Sequence, residues 1–246
     1  MKIGIYGGTF NPIHLGHMEA AKFAAAYLKL DKLLLVPAGM PPHKDLSPDA
    51  APPEDRLAMT ALAAEAVGPM AEASSLELDR RGTSYTVDTV RAVREAHPRA
   101  RLYLLMGTDM YLTFHRWKSP EKLARWCTLC AFGRSEADTE ELFAVQREHL
   151  SAMLGAKSVT VALPKIVDIS STRLRRELSQ GQGQAYLDPA VYGYILRRGL
   201  YGVPADPLRL SLEDLRCAGL SMLKRRRIPH VLGTEETAAA LARRWG

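Results

Sequence analysis

The sequence predicts an α/β fold, a doubly wound parallel sheet with a short C-terminal helical extension. Three observations predict it. Two short apolar runs, Ile3–Tyr6 and Leu33–Val36, have strand length and no polar alternation, as strands covered on both faces do. An Ala- and Leu-rich helical stretch separates them, so strand, helix and strand span roughly 35 residues, the size of a parallel crossover unit. The alternation then continues to about residue 200, which is the Rossmann-like pattern.

The elements follow in order. The first strand stops at Gly7-Gly8, and a helix is expected from about Gly16 to Lys29. The second strand stops at Pro37, and a Pro-rich loop over residues 39–53 leads to a helix at about Glu54–Val67. A helix at Thr86–Ala96 precedes a strand at Leu102–Met106. A strand at Thr128–Phe132, a helix at Thr139–Met153 and a last strand at Val159–Leu163 complete the sheet. Helices at Ser171–Leu178 and Pro189–Arg198 close the domain. Gly202, Pro204 and Pro207 interrupt the pattern, so the chain divides into residues 1–203 and an extension, 204–246, with helices at Leu212–Lys224 and Thr234–Trp245.

Composition excludes several classes. A 47% hydrophobic and 24% charged chain is an ordinary globule, neither disordered nor collagen-like. No apolar stretch of about 18 residues occurs, so no membrane span is expected. The opening residues are too quickly followed by Gly7-Gly8 for a signal peptide. Three cysteines are too few for a disulfide framework, which points to a reducing cytoplasm. Cys127 and Cys130 suggest a metal or redox half-site, but an offset of three on a strand places them on opposite faces. Residues 205–246 carry eight basic and five acidic side chains, so half of the net charge of +6 lies there. Lys224-Arg225-Arg226-Arg227 lacks interleaved aromatics, so it is read as a solvated helix end and not as a nucleic-acid site.

The segment Gly7-Gly8-Thr9-Phe10-Asn11-Pro12-Ile13-His14-Leu15-Gly16-His17 carries the most chemical information. Ligands of open parallel sheets sit beyond the carboxyl ends of the strands. Gly7 and Gly8 lack Cβ atoms and permit close approach to the backbone. His14 and His17, three apart at a helix start, project from one face, where free N–H groups already favour anions. No Lys follows the glycines, so this is neither a G-x-x-x-x-G-K-[ST] phosphate loop nor a G-x-G-x-x-G fingerprint. A second segment, Ile169-Ser170-Ser171-Thr172-Arg173-Leu174-Arg175, opens a helix after the last strand. Its hydroxyls and N–H groups suit phosphate, and Arg173 adds a charge-assisted contact.

The first segment resembles the signature shared by nucleotidyltransferases and class I aminoacyl-tRNA synthetases. The second has no Lys-Met-Ser-Lys-Ser character, which favours the former. Pro37–Lys44, Ser84–Thr89, Gly107-Thr108-Asp109 with Trp117, and Gly199-Leu200-Tyr201 extend the likeness. From Met1 to about Tyr201 the chain is similar to the bacterial nicotinate-mononucleotide adenylyltransferases. The departures are Asn11, where Asp is frequent, and Thr108, where Ala or Ser is.

The resemblance implies adenylyl transfer from ATP to nicotinate mononucleotide, with catalytic roles for His14, His17 and Arg173. ATP would be held by Gly7, Gly8, Thr9, Phe10, His14, His17, Gly107, Asp109, Ile169, Ser170, Ser171 and Arg173. The pyridine mononucleotide would meet Lys44, Thr86, Asp109, Trp117 and Arg134, with the Trp117 indole on its ring. The partners are thus ATP and a pyridine mononucleotide, and Mg²⁺ would travel on the phosphates with no acidic cage. Alternatives are another acceptor, such as nicotinamide mononucleotide or phosphopantetheine, or a non-catalytic nucleotide-binding module.

Arg227–Ala238 is similar to the opening of HD-type phosphohydrolase domains. On that likeness residues 204–246 begin a second domain of a longer fused protein, and His230 binds no metal here. Otherwise they form a helical extension that packs on the core or mediates self-association.

Overall fold

The computed structural model describes residues 1–40, 49–133, 138–164, 166–203, 208 and 210–245. Within them, six strands form an all-parallel sheet: β1 Lys2–Gly8, β2 Lys32–Pro37, β3 Ala71–Ala73, β4 Arg101–Gly107, β5 Cys127–Phe132 and β6 Lys157–Val161. Their spatial order is β3-β2-β1-β4-β5-β6. The order reverses between β1 and β4, which pair with Tyr6 opposite Leu105. Chains leaving these two strands turn to opposite faces, and a crevice opens at their carboxyl ends.

The helices are α1 Leu15–Leu28, α2 Pro53–Val67, α3 Thr86–Ala96, α4 Thr108–Leu112, α5 Pro120–Trp126, α6 Glu140–Leu154, α7 Ser171–Ser179, α8 Pro189–Arg198, α9 Leu212–Leu220 and α10 Ile228–Trp245. Side chains alternate across the sheet. Tyr6, Leu33, Leu35, Leu105 and Phe132 pack on α1, α2, α7 and α8. Ile3, Ile5, Leu34, Leu104 and Leu129 pack on α3 to α6. Each fully buried Leu or Ile stabilises the fold by about 2 kcal/mol. The unbroken apolar runs thus reflect a sheet with two covered faces. Cys127 and Cys130 fall on opposite faces, and burial pushes both thiols up to about 12.

The sheet and its flanking helices follow the expected plan, with differences that have physical causes. β6 begins two residues before Val159, because this edge strand is only partly buried and starts with Lys157-Ser158. β3, Ala-Glu-Ala, is too short to leave an apolar signal. α4 and α5, of 5 and 7 residues, show no helical period. α10 starts at Ile228, six residues before the expected Thr234, with Pro229 in its first turn, where proline is tolerated.

α9 ends at Leu220, so the basic run is not a helix C-terminus. Arg225 instead bonds the buried Asp188 carboxylate at 3.1 Å and, through its N–H, Glu65 Oε2 at 3.3 Å. Gly193 of α8 lies against the Cys217 backbone of α9, where a Cβ would collide. The Tyr192 hydroxyl donates to Asp214 Oδ1 at 2.9 Å. α9 therefore packs directly on α8. α10 has no buried residue and meets α9 through Arg216 and Glu235 at 2.9 Å.

Candidate active site

The loop after β1 is shaped by its own residues. Phe10 adopts a left-handed φ of 46° and buries its ring edge-on against Tyr6 and His17. A Cβ on Gly8 would lie 2.7 Å from that ring, so Gly8 makes room for Phe10. A Cβ on Gly7 would have only Val36 O within 4 Å, at 4.0 Å. Gly7 is thus the glycine that leaves bare, exposed backbone at the mouth of the crevice.

His14 is the N-cap of α1, a position where Ser, Thr, Asp or Asn is usual. Its ring stacks on His17 with centroids 3.7 Å apart. The His14 N–H donates to His17 Nδ1 at 3.3 Å. An accepting Nδ1 places the hydrogen of neutral His17 on Nε2, making that atom the donor. Helix N-terminal amides and paired imidazoles therefore share one end of α1, an arrangement suited to phosphate oxygens.

The loop before α7 lies against this one. A Cβ on Gly16 would be 3.2 Å from Val167 O. The Ser171 hydroxyl donates to Pro12 O at 3.0 Å, and Arg175 Nη1 donates to Asn11 O at 2.9 Å. Arg175 also pairs with Asp49 at 2.6 Å. Ser170 caps α7 by accepting from the Arg173 N–H at 3.2 Å. Asn11 turns inward: its Oδ1 accepts from Ala51 N–H at 3.0 Å and from the Tyr201 hydroxyl at 2.8 Å. Asn and Asp alike offer the acceptor oxygen used here.

A second group of loops flanks the crevice. Gly39 fits under Glu77 and Ser84, where a Cβ would strike the Glu77 carbonyl. Ser84 donates its hydroxyl to Glu77 O at 3.2 Å and its N–H to Met40 O at 2.8 Å. The Lys118 ammonium sits 3.7 Å from the Tyr85 ring centroid, which brings the neighbours Trp117 and Thr86 to one region. Trp117 is half-buried, 5.4 Å from Phe114 between ring centroids. Gly107 ends β4, and Asp109 is exposed in the first turn of α4.

The cytidylyltransferase-like family matches residues 5–177. A Thermus thermophilus protein named probable nicotinate-nucleotide adenylyltransferase is 43% identical over 202 residues, 82% of this chain and 100% of that one. A Desulfatibacillum aliphaticivorans protein of the same name is 37% identical over 219 residues, again 82% and 100%. The chain belongs to the nicotinate-nucleotide adenylyltransferase family. The fold is also that of Plasmodium falciparum nicotinic acid mononucleotide adenylyltransferase, solved with NaAD: TM-score 0.66, 20% identity, 83% of this chain and 99% of that one.

Of the residues expected to hold ATP, the structure gathers Gly7, Gly8, Thr9, His14, His17, Ile169, Ser170 and Ser171 on the two adjoining segments. Phe10 is there by its main chain only, because its ring is 1% exposed in the core. Arg173 is exposed, and its Nε bonds Glu177 Oε1 at 2.8 Å. That carboxylate holds the guanidinium pKa above its usual value, first through the hydrogen bond and then through charge. Lys44 and Arg134, with His43, lie outside the described residues. Arg175 closes the second quoted segment without an assigned role, and Arg56 was not singled out. Arg175 lies four residues after Ser171, hence on the same face of α7, a spacing that could have singled it out without naming its partner.

Proposed function

We propose that the chain transfers the adenylyl group of ATP to nicotinate mononucleotide, giving nicotinate adenine dinucleotide and pyrophosphate in NAD synthesis. A 5′-phosphate oxygen of the mononucleotide forms a bond to the α-phosphorus of ATP as the α–β bridging P–O bond breaks, and the electron pair leaves with pyrophosphate. A phosphate monoester is nucleophilic at neutral pH, so no general base is required. Catalysis rests on positioning and on donors aimed at developing charge.

The observation that carries this reading is the hydrogen-bonded union of the two phosphate-binding segments, Ser171 to Pro12, at the sheet's reversal point. His17 Nε2, His14 and the α7 amides at Ser170 and Ser171 supply the donors. Gly107 and Asp109 serve the nucleoside; Thr86, Trp117, Lys44 and Arg134 serve the pyridine mononucleotide. Arg173 reaches phosphate by exchanging Glu177 for it.

The donor set at the loop is imidazole and amide, and no cluster of three or more metal-ligating side chains occurs among the described residues. This set suits Mg²⁺ carried by the ATP phosphates, where it neutralises their charge. We place the enzyme in the cytoplasm; among the described residues no helix is long and apolar enough to cross a membrane. Residues 204–246 act as an extension of domain 1–203, with α10 open to self-association.

The test is pyrophosphate release from ATP with nicotinate mononucleotide, nicotinamide mononucleotide and phosphopantetheine in parallel. Turnover with nicotinate mononucleotide supports the reading. Preference for another acceptor, or nucleotide binding with no turnover, overturns it.

A further inference from the structure

Arg56 lies in the first turn of α2 and is 0% exposed, the largest fully buried side chain among the described residues. Its position marks where two strands part. The β1–β2 ladder continues to one last bond, Ala38 N–H to Gly8 O at 2.8 Å. Beyond it the chains splay, Thr9 toward α1 and Gly39 toward the 77–84 segment. Arg56 Nη1 spans the gap, donating to Thr9 O at 2.9 Å and to Ala38 O at 2.7 Å. One nitrogen thus takes over the pairing that the ladder can no longer supply.

The rest of the guanidinium gains little. Nε and Nη2 are buried without hydrogen-bond partners among the described residues. Burial lowers the pKa of the group from its usual value. The adjacent Asp55 is committed elsewhere, accepting from the Tyr194 hydroxyl at 2.7 Å and Arg198 Nε at 3.0 Å. A buried charge left partly unsatisfied costs stability, so Arg56 holds the two carbonyls at some expense to the fold.

We infer that Arg56 is a positioning residue that fixes the start of the phosphate loop after β1, at Thr9, and the first residues after β2, Ala38 and Gly39, in one register, so that both substrates depend on it. This rests on the reading that the β1 loop holds ATP and the β2 loop borders the acceptor. Arg56 touches neither substrate; it acts through Thr9 and Ala38.

Arg56→Lys keeps a charge but not the reach of the fork, and Arg56→Met removes the donors. In folded variants, checked by circular dichroism and Tm, KM for ATP and KM for nicotinate mononucleotide rise together, by roughly tenfold or more for the lost charged bonds. A merely structural role lowers the active fraction, hence apparent kcat, with both KM values unmoved. Unchanged KM values, or a change for one substrate alone, overturn the proposal. A wild-type enzyme without turnover defeats the substrate reading and leaves the clamp to a second measurement, hydrogen exchange in the free protein. In Arg56→Lys the Phe10 and Gly39 amides exchange faster together while the amides of α6 keep their rates. Unaltered exchange at both loops, or faster exchange at one loop only, overturns the clamp whatever the substrates.

Discussion

The Ser171 hydroxyl donates to the Pro12 carbonyl at 3.0 Å, joining residues 159 positions apart. One turn later Arg175 donates to the Asn11 carbonyl at 2.9 Å. The two segments assigned to the triphosphate are therefore one unit and not two loops that happen to be near. Arg175→Met removes a charged donor and is expected to cost about 1.5–3 kcal/mol. Urea unfolding measures the loss, and KM for ATP rises with it. A variant as stable as the wild type contradicts the tie.

His17 is fixed on both sides, by the His14 N–H at its Nδ1 and by stacking on the His14 ring. His17→Ala is expected to lower kcat by at least about 10²-fold, the scale of losing a preorganised donor. Steady-state kinetics on protein with an unchanged circular dichroism spectrum checks this. Near-normal turnover refutes the assignment.

The Tyr201 hydroxyl donates to Asn11 Oδ1 at 2.8 Å, and burial raises its pKa well above the usual phenol range. A raised folded pKa means that the folded state holds a proton the unfolded chain releases near pH 10. The contribution is complete below about pH 10 and lost as pH rises above it. Burial raises Tyr192 and Tyr194 too, so Tyr201→Phe should remove one part of the alkaline loss. Denaturant midpoints from pH 8 to 11 test it; identical slopes in both proteins contradict it.

Cys127, Cys130 and Cys217 are all buried. A thiol reagent at pH 8 should label none of them in the native protein and all three after denaturation. Gly193→Ala places a methyl against the Cys217 backbone, which should cost about 1–3 kcal/mol and make Cys217 alone reactive. Unchanged labelling would show that the α8–α9 contact relaxes easily.

The sheet was legible because β1, β2, β4 and β5 are buried on both faces and so leave unbroken apolar runs. β6 was displaced and β3 missed because an edge strand buries too little to write that signature. The two segments proposed to hold phosphate stood out in the sequence because glycine, histidine and serine there answer to chemistry as well as to packing. What stayed hidden is long-range. Nothing near Arg56 or Arg175 in the chain announces that their partners are carbonyls at Thr9, Ala38 and Asn11. Arg173, by contrast, has the right residue type at the right helix start, yet its partner one turn on, Glu177, occupies it.

A crystal structure with a non-hydrolysable ATP analogue tests the central claim most directly. The triphosphate is expected over Gly7, within hydrogen-bond distance of His17 Nε2 and of the amides at Ser170–Ser171. A triphosphate bound away from both segments would contradict it.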